Sequence, residues 1–130
     1  MASIFTRIIN REIPAYIMAE DDKHMAILDI NPLTFGHVLV FPKQEIDYLF
    51  DLEDSVYLQL MTFSKNVASK LIQSVPCKRI GVSVIGLEVP HVHVHLIPMN
   101  SINDMNFSRQ KLALDAEKAK VLVETFNSID

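Results

Sequence analysis

Cysteine occurs once in this chain, at Cys77. A lone thiol forms no internal disulfide and no Cys-rich metal site, which fits a reducing, cytoplasmic setting. No apolar run approaches the ~20 residues that cross a bilayer, so no membrane association is expected. The opening stretch MASIFTRIINREIP lacks a basic segment leading into an apolar stretch and a small-residue cleavage site. A secretory leader is therefore not expected. Lys and Arg number 12 against 16 Asp and Glu, a net charge of −4, and no basic cluster stands out. That argues against nucleic-acid binding driven by neutralised phosphates. A small anionic ligand stays open, because a pocket can be locally positive on an acidic protein. Internal repeats, low-complexity tracts and Gly/Ser linkers are missing too. The 130 residues are expected to form one domain, residues 1–130.

What is present is a clear alternation of periods. Ile4, Ile8 and Ile9 lie at helical spacing over residues 4–10, and Pro14 disfavours helical geometry at Ile13. Residues 15–20 and 24–30 read as strands around the polar turn Asp21-Asp22-Lys23. Asn31-Pro32 marks a break, Gly36 precedes a third strand over 37–41, and Pro42 closes it. From Asp51 to about Ser74, Val56, Leu60, Phe63, Val67 and Leu71 recur at spacings of three and four, one face of a helix. Strands are expected at 79–85 and 91–97, and a last helix at 112–126. This order predicts an α+β fold: a mostly antiparallel five-stranded sheet with a long helix packed on it.

The stretch PHVHVHLIP, Pro90 to Pro98, holds three of the five histidines. Residues two apart in a strand point the same way, so His91, His93 and His95 share a face while Val92, Val94 and Leu96 face the core. Three imidazoles in register are costly to bury, which argues against a purely structural role. Metal binding is one reading, since His-x-His can supply two zinc ligands. However, His91 and His95 lie ~13 Å apart along an extended strand, and a metal would need partners from elsewhere. The other reading is nucleophilic and acid–base chemistry. Neutral imidazole is a nucleophile, and its neighbours can orient it and donate to a developing oxyanion. That suits phosphoryl or nucleotidyl transfer.

His-Val-His-Val-His-Leu-Ile resembles the defining motif of the histidine triad superfamily, three histidines spaced by apolar residues. Asp29-Ile30-Asn31-Pro32, followed by Gly36-His37-Val38-Leu39-Val40 and Pro42-Lys43, is similar to its second signature, and the likeness covers about residues 4–98. The resemblance implies a histidine-triad-like fold whose sheet continues across a homodimer. It also implies a purine nucleotide, AMP-like, as substrate or product, with no cofactor. His93 would attack the α-phosphorus of a nucleoside phosphoramidate or dinucleoside polyphosphate and carry the nucleotidyl group until water releases the monophosphate. His91 and His95 would orient that ring and contact phosphate, and His37 would support the triad. Asp29 would accept from the ribose hydroxyls, and Phe5, Ile8 and Ile27 would line the base pocket.

Departures from the pattern are as informative. Many bacterial relatives hold a structural zinc through Cys-x-x-Cys, a histidine after Pro-Lys and the first triad histidine. Ser3, Thr6 and Glu45 stand at the matching places, so no metal site is expected. A Gly-Gln-Ser/Thr-Val run often precedes the triad; here it reads Gly86-Leu87-Glu88-Val89. Glu88 brings an acid where a hydroxyl is usual, and Ser83 is the candidate substitute for an asparagine that is missing. These changes around the leaving group keep open a second reading, a nucleotide-binding regulatory module with little catalysis.

Overall fold

The computed structural model describes all residues, 1–130. Its order is α1 (Ile4–Ile9), β1 (Ile17–Glu20), β2 (His24–Leu28), β3 (Val38–Pro42), α2 (Asp54–Ser74), β4 (Arg79–Ser83), β5 (Val94–Met99) and α3 (Ala116–Asn127). Short 3-10 turns occupy Leu49–Asp51 and Ile102–Met105. The strands form one sheet ordered β1-β2-β3-β5-β4, and every neighbouring pair is antiparallel. The expected α+β fold with a five-stranded antiparallel sheet is observed. No helix is long and apolar enough to cross a membrane.

Period-two alternation gives the sheet two different faces. On one, Ala26, Leu28, Val38, Val40, Val94 and Leu96 pack against Leu60, Val67 and Leu71 of α2 and Leu122 and Phe126 of α3. On the other, Met25, Ile27, Leu39 and Phe41 pack against Phe5 and Ile8 of α1. Ser3 caps α1 by accepting from the Thr6 amide at 3.1 Å, and Asp115 does the same for α3 through Lys118 at 3.0 Å.

Element boundaries differ from the sequence reading for local reasons. The last strand starts at Val94 rather than His91. Continuing the β3–β5 register brings Val92 opposite Pro42, which has no amide to donate. Val92 instead donates to the Ile46 carbonyl at 2.7 Å. The alternation survives the loss of the ladder, and Val92 still enters the helix-side core. The long helix starts at Asp54, because Leu49–Asp51 form a separate 3-10 turn. His24 opens β2 and is buried, stacked on Phe63 at 5.0 Å.

Candidate functional site

β5 and the residues just before it carry the triad, and β3 brings His37 alongside. The turn before β3 depends on Gly36, whose φ is +91° and whose added Cβ would meet Val75 at 2.8 Å. All four imidazoles are buried. Their hydrogen bonds settle which nitrogen carries the proton, because carbonyls only accept and amides only donate.

Two chains of such bonds meet at one cleft. The Leu33 amide donates to His37 Nδ1 at 3.0 Å, so His37 carries its proton on Nε2. His37 Nε2 donates to His95 Nδ1 at 2.9 Å, which leaves the His95 proton on Nε2. In the second chain, His93 Nδ1 donates to the His91 carbonyl at 2.8 Å. That bond assigns neutral His93 the tautomer with its lone pair on Nε2. His91 is spent on structure: Nε2 donates to the Pro42 carbonyl at 2.7 Å and Nδ1 accepts from the Ser3 hydroxyl at 2.7 Å. Burial pushes His37 down to about 3 and His95 down to about 4, with neighbouring histidines adding to both. Burial also lowers His91. These three rings are neutral at physiological pH.

The cleft in front of these nitrogens measures about 550 Å³. Asp29, His37, His93 and His95 line its inner side, and the loop Ile85–Val89 with Glu88 lines another. Gly86 gives that loop its positive φ of +75°. Asp29 accepts from the Asn31 amide at 2.8 Å, and its other oxygen lies 3.7 Å from His37 Nε2. Burial raises its carboxyl above the ordinary range. Asp29, His37 and His95 also offer three ligand atoms within 4.8 Å of one another. A cation could be held there only in place of the proton between the two rings.

The remaining expected residues are placed differently. Phe5, Ile8 and Ile27 are buried under the triad face and do not line this cleft. Phe5 does touch the triad, edge-on to His93 at 4.9 Å, and stacks on Phe41 at 4.5 Å. Ser83 lies across from His95 on β4, beside the cleft lining. Ser3, Thr6 and Glu45 do converge on His91. Glu45 accepts from the Thr6 hydroxyl at 2.6 Å and the Ser3 amide at 2.8 Å, and those bonds hold its carboxyl down at about 2. Two hydroxyls and a carboxylate bonded to each other are a poor match for the thiolate and imidazole donors of structural zinc. Hydrogen bonds tie α1 to the triad here instead.

Sequence reasoning missed the second wall. The segment after the 3-10 turn at Ile102–Met105 folds back over the sheet, and Phe107 and Lys111 join the cleft. The Phe107 ring meets His95 edge-on at 4.9 Å and His37 at 6.4 Å. Polar SINDMNFSRQKL carries no periodicity that would have revealed this.

Comparison with known proteins agrees with the geometry. The HIT domain matches residues 10–102. The chain belongs to the HIT, or histidine triad, family. It is 38% identical over 133 residues to an uncharacterized HIT-like protein of Borreliella burgdorferi, covering 92% of this chain and 91% of that one. It is 35% identical over 98 residues to the adenosine 5'-monophosphoramidase of Saccharomyces cerevisiae, covering 75% of this chain and 62% of the yeast protein. Among solved structures, a HIT-like protein of Bartonella henselae superposes with a TM-score of 0.83 at 24% identity, covering 97% of this chain and 94% of that one. A hypothetical histidine triad nucleotide-binding protein from Sulfolobus tokodaii superposes with a TM-score of 0.77 at 26% identity, covering 95% of this chain and 91% of that one.

Proposed function

We propose that this HIT protein hydrolyses or transfers nucleoside monophosphates through a nucleotidyl-histidine intermediate on His93. One observation carries the reading: the Nδ1 bond to the His91 carbonyl gives neutral His93 its lone pair on Nε2, at a cleft into which neutral His95 can donate. A nucleoside phosphoramidate or dinucleoside polyphosphate places its α-phosphorus before that lone pair. The His93 nitrogen bonds to phosphorus as the leaving group departs with the bonding pair and takes up a proton from solvent water. His95 Nε2–H donates to a non-bridging oxygen, where charge rises in the transition state. Water then attacks the same phosphorus, His93 leaves, and the monophosphate is released. Asp29, an acceptor-only carboxylate, takes the ribose hydroxyls. Phe5, with Ile8 and Ile27 packed in the same cluster, backs the His93 ring from beneath, and Ser83 steadies His95 from the neighbouring strand.

The named activities of two relatives support this reading: adenosine 5'-monophosphoramidase in both yeasts compared, Saccharomyces cerevisiae and Schizosaccharomyces pombe. The test is to incubate the protein with an adenosine phosphoramidate and with a diadenosine polyphosphate, following AMP release. Release from either supports the enzyme. AMP binding with no release over hours would instead favour a nucleotide-binding module, the reading that Leu87 and Glu88 in the cleft loop motivate. Homodimer formation belongs to the same proposal. β4 is a sheet edge, and Val82 on it is 54% exposed. A second copy would continue the sheet there, which light scattering on the purified chain measures.

A further inference from the structure

The cleft has a charge problem. Its formal charges are the two carboxylates Asp29 and Glu88 and a single ammonium, Lys111. His37 and His95 contribute no positive charge, because burial keeps them neutral. A nucleoside monophosphate brings further negative charge into this space. Hydrogen bonds from neutral rings can orient its oxygens, yet they leave that charge largely uncompensated.

Lys111 is exposed at the rim of the cleft, on a segment that is itself anchored. Its segment is tied to the body at two points: the Arg109 guanidinium donates to the Leu33 carbonyl, and the Leu112 amide donates to the Pro32 carbonyl at 2.9 Å. Arg109 also reaches the Asn103 carbonyl at 3.0 Å and the Asp104 carboxylate at 3.3 Å. The Phe107 ring seats the same segment against His95. Lys111 Nζ donates to the Phe107 carbonyl and, at 3.4 Å, to the Arg109 carbonyl. An ammonium has three donors, so one is left for the cleft. The positive field of Lys111 reaches both Asp29 and His37 on the inner wall.

We propose that Lys111 is a substrate-binding residue that supplies the countercharge for the nucleotide phosphate, held in place by the strap of residues 106–112. This rests on the nucleotide reading above, and it deepens that reading by assigning the phosphate's cation to the strap rather than to the triad. The role is specific to the phosphate and leaves the base and ribose contacts untouched. It also explains why the strap covers this side of the sheet: it carries the one cation of the cleft to the mouth of the triad.

Calorimetric titration with AMP and with adenosine separates these roles in wild type, Lys111→Met and Lys111→Arg. Wild type should bind AMP more tightly than adenosine. Lys111→Met keeps the apolar stem and should lose about tenfold in AMP affinity, ~1.4 kcal/mol, with adenosine affinity within about twofold. Lys111→Arg should keep most of the AMP preference. An unchanged ratio of AMP to adenosine affinity in Lys111→Met overturns the proposal. So does a parallel loss of both ligands that Lys111→Arg repairs no better than methionine, since that marks a structural prop. Wild type binding adenosine and AMP equally refutes the countercharge alone. Wild type binding neither removes the nucleotide reading itself.

Discussion

The two faces of the sheet are built from the same strands and solve opposite problems. Toward α2 and α3, the inward residues of β2, β3 and β5 are apolar apart from His24, which stacks on Phe63, and helices seal the face with Leu71 and Phe126 fully buried. That burial is favourable by roughly 25 cal/mol per Å² of apolar surface, and it asks for no partner. Toward α1 and the strap, β5 and the residues just before it present His91, His93 and His95, and burying imidazoles is costly unless their nitrogens find partners. The Leu33 amide, the Pro42 and His91 carbonyls and the Ser3 hydroxyl are those partners. No buried side-chain nitrogen or oxygen is left without one. The helix face therefore holds stability with little positional demand, and the triad face holds position. Mutations on the two sides should fail in different currencies.

The largest effect is expected from His93→Ala on the triad face. A nucleophile acts chiefly in the transition state, so turnover should fall on the order of 10⁴-fold or more. AMP affinity should stay within about tenfold, or ~1.4 kcal/mol. Rapid quench with labelled nucleotide should trap an acid-labile adduct on wild type and none on the variant. An adduct that persists on His93→Ala would move the nucleophile elsewhere.

On the helix face the sign of the comparison reverses. Phe126→Ala should cost about 3–5 kcal/mol of stability, from lost transfer energy and the cavity left beneath α2. Turnover per folded molecule should be nearly unchanged. Urea unfolding monitored alongside the AMP-release rate reads both. A variant of normal stability, or one whose folded fraction has lost activity, would show that the faces are not separable in this way.

This division also explains what could be read from the sequence. Strand alternation was legible because Val92, Val94 and Leu96 had to face the helix-side core whatever held the histidines. The stripe Leu60, Val67 and Leu71 was legible for the same reason, as period 3.6 on one helix face. Asp29 and His37 were placed through a resemblance of motifs, and the structure brings both to the cleft. The tautomers were not legible. They depend on the Leu33 amide and the Pro42 carbonyl, backbone groups that no residue type announces. The strap was hidden as well, since Phe107 and Lys111 act through long-range contacts of an irregular segment. The strand start at Val94 was missed because a proline on a neighbouring strand, Pro42, ended the ladder.

The smallest and most diagnostic effect is the response to acid. His37 and His95 sit at about 3 and about 4, below the ordinary value of 6.5, and burial is the first cause for each. Between those limits an unfolded chain binds protons that the folded chain refuses. Stability then rises with pH by at most about 1.4 kcal/mol per unit for each such proton. The contribution is full above 6.5 and is lost as pH falls toward the folded values. Ordinary carboxylates titrate nearer 4.5 and below, so the interval from about 6.5 down to 4.5 is governed by the histidines, with the raised carboxyl of Asp29 acting in the opposite sense. In that interval wild type should lose stability steadily in urea titrations. His37→Asn keeps an acceptor for the Leu33 amide but cannot take a proton, so its profile should be flatter by up to one proton's slope. A flat wild-type profile, or an undiminished slope in His37→Asn, would mean that the triad face tolerates protonation. The His37–His95 chain would then not be fixed in the neutral form that leaves the His95 Nε2–H to donate to the phosphate.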